Sequence, residues 1–160
     1  MMGNTYEEFA QRLRASIPGV LAIVGWLYRH GWAVSLPSLV LRPKDQHYTK
    51  YQDRGDLFAT KGDRACRFEV KYMQRANFTC REDYPFDDFF IADADAVDRA
   101  NGEVEAYIWV SNNLKYAAFV RQGTSPHWEV KVRHFKNTNK EQSIYVCSLD
   151  HVEFVRIQGE

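Results

Sequence analysis

Residues 56–73 constrain the fold more than any other stretch. Two runs of strand composition, 56–60 and 64–73, flank Lys61-Gly62-Asp63, a short turn signal built on glycine. A chain written this way closes on itself as an antiparallel hairpin. With the turn centred on Gly62 and Asp63, Lys61 faces Arg64, and counting outward Asp56 faces Glu69. Directly opposed side chains share a face with Cβ atoms about 5 Å apart, and like charges so placed repel. Alternation then puts Arg67, Glu69, Lys71 and Met73 on the face of Asp56, and turns Phe68, Val70 and Tyr72 into the core. Turns of two or four residues keep this pairing, whereas three or five shift it.

The flanking sequence predicts an α/β protein. Thr5 and Glu8 have capping-box spacing and open a helix that carries Phe9 and Leu13 on one face, with Glu7 in its first turn. Pro18 and Gly19 are expected to break or kink it, and Val20, Ile23, Val24 and Leu27 resume a helical pattern that Gly31 ends. Residues 32–41 read as a strand interrupted near Pro37. Residues 42–54 form a polar, basic loop in which Lys44, Lys50 and Arg54 interleave with His47, Tyr48 and Tyr51. Such a loop suits a phosphate backbone, and equally an ordinary surface connection. Residues 86–99 suit a helix, with Phe86, Phe89, Phe90 and Val97 on one face and Asn101-Gly102 as its end. The remainder is β-rich, with strands expected at 105–110, 115–121, 128–134, 144–147 and 152–157, and a turn at Asn112-Asn113.

With 160 residues, 45% of them hydrophobic, residues 1–160 are expected to form a single domain. The longest apolar stretch, 19–28, is well short of the ~20 residues of a membrane-spanning helix, and the N-terminus lacks the order of a secretory signal. A cytoplasmic protein with no membrane partner is therefore expected. Cys66, Cys80 and Cys147 suggest reduced thiols rather than a disulfide framework, and five scattered histidines offer no zinc spacing. Phosphate-cradling glycine loops are absent. Asp93, Asp95 and Asp98 lack the remaining parts of a calcium loop and read as a solvated acidic face. The net charge of zero hides an asymmetry: residues 1–81 hold 13 basic and 7 acidic side chains, net +6, while residues 82–160 hold 8 and 14, net −6. The basic half contains the hairpin, which suits an anionic partner.

Phosphodiester hydrolysis needs a Lewis acid, a water of lowered pKa and a cation near the phosphate. Asp56 and Glu69 supply oxygen ligands for Mg²⁺ with the Val70 carbonyl a further donor. Lys71 is placed to orient the water, and Gln74 to position water or phosphate. Gly55-Asp56 followed by Glu69-Val70-Lys71 resembles the PD-(D/E)XK phosphodiesterase superfamily of nucleases, restriction enzymes and junction resolvases. The resemblance covers roughly residues 18–121 and implies a restriction-endonuclease-like fold, a mixed central β-sheet flanked by helices, with extra C-terminal strands from Trp128 onward. It implies a Mg²⁺-dependent endonuclease, with Mn²⁺ a substitute, acting on nucleic acid and on DNA before RNA, as in phage or mobile-element proteins. Asp56, Glu69, Lys71 and Gln74 would be the catalytic set, with Asp56, Glu69 and Val70 on the metal. Lys44, Lys50, Arg54, Lys61 and Arg67 would bind substrate.

Gly55 replaces the family's proline, and no acidic residue lies between Pro18 and Gly31, leaving Glu7 or Glu8 for that role. Double-strand cutters often act as homodimers, although no symmetric interface is legible here. Glu129-Val130-Lys131 repeats the tripeptide without an upstream hairpin aspartate and fails the context test. Three alternatives stay open: a surface ion-pair cluster of Glu69 with Lys71 and Arg67, a non-catalytic accessory protein that binds nucleic acid or protein on the same fold, and an inhibitor or assembly module whose Asp56 hairpin is purely structural.

Overall fold

A 24-residue helix, α1 (Tyr6–Arg29), leads into a short strand, β1 (Ala33–Ser35), and then into the hairpin of β2 (Leu57–Lys61) and β3 (Arg64–Tyr72). The computed structural model describes residues 6–36, 57–135 and 139–159, with side chains from residue 15 onward. Thr5, Pro37, the basic segment 42–54 and Asp56 lie outside the described residues, as do the side chains of Glu7, Glu8, Phe9 and Leu13. The hairpin has the expected register: Lys61 pairs with Arg64 and the ladder runs unbroken to Leu57 opposite Phe68. Gly62, at a φ of 58°, makes the turn in the left-handed region that glycine enters without strain.

The break expected at Pro18 and Gly19 does not occur, since Pro18 lies inside α1. Gly19 is buried, and a Cβ built on it would stand 2.9 Å from Cβ of Tyr72. Glycine therefore serves close helix-to-strand packing here rather than termination. Ala22, Ile23 and Leu27 extend the same face at helical spacing and pack on Leu57, Phe68 and Val70. After Arg29 the helix stops as expected at Gly31, at a φ of 85°, where Trp32 N–H donates to the Leu27 carbonyl at 3.0 Å and Gly31 N–H to the Tyr28 carbonyl at 3.1 Å.

Residues 86–99 correct the sequence reading. In place of one helix they form strand β4 (Asp88–Asp93) and a short helix α2 (Ala94–Ala100), whose end at Asn101 is as expected. The apolar run in β4 serves two surfaces: Phe89 stacks on Tyr84 with ring centroids 6.4 Å apart, while Phe90 tilts onto Trp109 at 6.1 Å. Burial on both sides yields a short continuous apolar run that periodicity cannot tell from a helix. The chain continues through β5 (Val104–Val110), β6 (Tyr116–Arg121), β7 (Glu129–Phe135), β8 (Lys140–Ser148) and β9 (Glu153–Arg156).

Six strands form a mixed sheet in the order β1-β2-β3-β5-β6-β9, in which β3 and β5 run parallel and the other neighbours antiparallel. A second, antiparallel sheet has the order β4-β8-β7. The mixed α/β architecture with a mixed central sheet is thus as expected, although the described helices are few and most of the cover on one face comes from strands. One face packs on α1, and the other is covered by β4, β8 and α2 around Phe89, Val97, Tyr107 and Cys147. The C-terminal strands are shared: β6 and β9 widen the central sheet, and β7 and β8 build the second. Among the described residues no helix is long and apolar enough to cross a membrane.

Candidate functional site

Strand β3 lies inside the central sheet, so consecutive residues enter different environments. Val70 is 3% exposed under α1. Glu69 and Lys71 emerge on the opposite face, each with a side chain 26% exposed, and Lys71 Nζ donates to Glu69 Oε1 at 2.6 Å. Their spacing of two along the strand produces this contact, since alternate residues share a face. In the parallel ladder Glu69 aligns with Tyr107 and Lys71 with Trp109. The Trp109 indole N–H donates to the Phe90 carbonyl at 2.8 Å, fastening β4 beside this pair, and Lys71 Nζ lies 5.9 Å from the Phe90 ring centroid.

Asp93, at the end of β4, is the residue the sequence reading misplaced. It is half-buried, and burial raises its carboxyl above the ordinary range; Lys71 opposes the rise, and the negative charges of Glu69 and Asp95 add to it. Asp93 is therefore within electrostatic reach of both Glu69 and Lys71, whereas Asp95 and Asp98 are exposed, as expected of a solvated face. Tyr107, buried beside Glu69, has its phenol pushed up to about 12, by burial first and by the Glu69 charge second. The signal for Asp93 was its place after an apolar run of strand length, which would have set it at a strand end beside the sheet.

The remaining expected residues are distributed unevenly. Gln74 is exposed in the turn after β3, where its carbonyl accepts from Asn112 Nδ2 at 2.7 Å. That turn is held by Asn77 Oδ1, which accepts from the Asn113 N–H at 2.8 Å, and by Ser111 Oγ, which accepts from the Phe78 N–H at 3.0 Å. Arg67 sits at a register shift in the β3–β5 ladder, with a side chain only 14% exposed and its Nη1 3.4 Å from Glu103 Oε2. Its Nε is buried without a hydrogen-bond partner. The Arg67 guanidinium is thus directed to Glu103. Lys61 is exposed at the turn end of the hairpin, roughly 17 Å along β3 from Glu69 at about 3.3 Å per residue, and donates to the His30 carbonyl at 2.8 Å. Val70 aligns with Ile108 in the ladder. Lys44, Lys50, Arg54 and Asp56 lie outside the described residues.

Among the described residues no three His, Cys, Asp or Glu side chains are grouped as a metal site. The donors at hand are nonetheless hard oxygen ligands of the kind Mg²⁺ takes: the Glu69 carboxylate and, within its electrostatic reach, Asp93, whose carboxyl is raised chiefly by burial. Asp56 is covalently adjacent to Leu57, the first residue of β2 and the partner of Phe68. The three cysteines are free, and burial pushes the Cys147 thiol up to about 11, which leaves it unreactive. No family model, curated protein or solved structure matches this chain.

Proposed function

We propose that this protein is a divalent-cation-dependent nuclease of the PD-(D/E)XK type, acting on DNA before RNA. The observation that carries the reading is the hairpin register together with the Glu69–Lys71 contact at 2.6 Å on the sheet face away from α1. If that register continued one step beyond Leu57 and Phe68, Asp56 would face Glu69, as the sequence predicts. The element order is in keeping with it: a helix, a hairpin, a later short helix and a further strand.

In this reading Asp56 and Glu69 hold the cation, with the Val70 carbonyl as a further donor. A bound Mg²⁺ or Mn²⁺ would supply Lewis acidity and a water of lowered pKa. Glu69 orients Lys71 through their hydrogen bond, so the ammonium is held in one direction before substrate arrives. Lys71 then donates to the attacking water or to a phosphate oxygen, stabilising charge that develops in the transition state. Gln74, on a turn fixed by Asn77 and Ser111, supplies an amide at the end of the same strand.

The test is cleavage of labelled duplex, single-stranded and branched DNA and of RNA, with Mg²⁺ or Mn²⁺, beside the melting temperature with and without the cation. Cation-dependent cutting accompanied by a cation-linked rise in melting temperature is the expected result. A folded protein that cuts no substrate and whose melting temperature ignores the cation contradicts it.

A further inference from the structure

On the α1 face of the central sheet, opposite Glu69 and Lys71, two adjoining cavities share Trp26 and Val155. The inner one, about 260 Å³, is walled by aromatic rings, Trp26, Trp32 and Phe119. Its size suits one planar ring system rather than a drug-sized ligand. The outer one, about 550 Å³ and open to solvent, is lined by Arg29, His30 and Arg156, with no acidic side chain among its described lining residues. An apolar, aromatic chamber leading into a cationic shelf matches a molecule that is flat at one end and anionic at the other.

We propose that these cavities form a nucleotide site, with a guanine base in the inner chamber and its phosphate on the outer shelf. Stacking on indole accepts any base, so the choice of guanine rests on the polar rim. Glu105 lies 3.9 Å from Arg64, beyond hydrogen-bonding range, so its oxygens remain able to accept from the adjacent N1–H and N2–H donors of a guanine edge. The second rim carboxylate, Glu153, is held by Arg121 at 2.9 and 3.3 Å and is already satisfied. A cationic ligand is disfavoured, because Arg64 itself sits 5.4 Å above the Trp32 ring and Arg121 stands at the same rim. On the shelf, His30 Nδ1 donates to the Trp26 carbonyl at 2.8 Å, and its ring lies 4.9 Å from that of Trp26. Arg156 Nε donates to the Gln158 carbonyl at 3.2 Å and its guanidinium lies 5.8 Å over the Tyr116 ring, which holds the cation at the shelf.

The same chemistry is met in a free guanine nucleotide and in an unpaired guanine of a strand. Guanosine, adenosine and cytidine monophosphates, inorganic phosphate, and short single-stranded oligonucleotides with and without guanine are titrated into the full chain, read by calorimetry and tryptophan fluorescence. The expected result is saturable guanosine monophosphate binding, with adenosine and cytidine monophosphates about tenfold weaker, the loss of one bidentate pairing. Glu105→Gln should remove that preference, and Arg156→Ala should weaken all three alike, at unchanged melting temperature. An oligonucleotide that binds more tightly than the mononucleotide only when it contains guanine assigns the site to a strand; the reverse assigns it to the free nucleotide. Absence of saturable binding, equal binding of the three bases, or an unchanged preference in Glu105→Gln overturns the proposal. Because Glu105 lies away from Glu69 and Lys71, these results stand apart from those of the cleavage assay.

Discussion

The tripeptide Glu-Val-Lys occurs twice in this chain, each time on a strand, and the two strands place it in different surroundings. In β3, Val70 is buried at 3% exposure beneath α1, and Glu69 and Lys71 contact each other at 2.6 Å in a half-enclosed setting beside Phe90 and Tyr107. In β7, an edge strand, Val130 is 55% exposed and Lys131 reaches across to Asp88 at 3.2 Å instead of to Glu129. A central strand forces alternate residues into opposed, covered environments, and an edge strand does not. In the proposed reading the chemistry of the first copy comes from its place in the sheet, and the second copy is the internal control.

The largest difference should come from the valines. Val70→Asp places a charge among Leu57, Phe68 and Ile108 and should cost more than about 3 kcal/mol or prevent folding, whereas Val130→Asp should stay within about 0.5 kcal/mol, both read by chemical denaturation. Next is the turn that follows the first copy. Ser111 is fully buried, and Ser111→Ala leaves the Phe78 N–H without its acceptor, a loss of about 1–3 kcal/mol, with faster hydrogen exchange at Phe78.

The second copy carries a pH signature of its own. Burial tends to raise Asp88, but hydrogen bonds from Arg133 and Lys131 outweigh it and hold its carboxyl below the ordinary value of 3.8. A carboxyl depressed by folding contributes stability above its unfolded value, and that contribution is lost as the pH falls through the native one. Melting temperatures taken below pH 4 should therefore fall less steeply in Asp88→Asn than in the wild type. The smallest effect expected is Lys131→Ala, a loss of no more than about 1 kcal/mol, because Arg133 still reaches Asp88 at 2.7 Å.

Much of this contrast was legible before the fold was known. Lys61-Gly62-Asp63 set the hairpin register, and alternation then separated Val70 from Glu69 and Lys71. The β-rich second half was legible by composition, within a few residues at each strand end. What escaped depends on contacts distant in sequence. Pro18 and Gly19 read locally as a break, but the close approach of α1 to Tyr72 makes glycine a packing residue. The run Phe89, Phe90, Ile91 and Ala92 read as a helix because both of its sides are covered, one by Tyr84 and the other by Trp109. With β4 mistaken for a helix, Asp93 fell on a solvated face instead of beside Lys71. The second sheet was hidden for the same reason, since β4 finds its partner β8 more than fifty residues later.

The central claim is that position, and not the tripeptide, makes the site. It is tested most directly by cleavage of the preferred substrate in Mg²⁺ by Lys71→Ala and Lys131→Ala side by side, each shown to be folded by its melting temperature. A loss of at least about a hundredfold in Lys71→Ala, with Lys131→Ala indistinguishable from wild type, is the predicted result. Equal activity in the two variants, or a loss in Lys131→Ala alone, would contradict it.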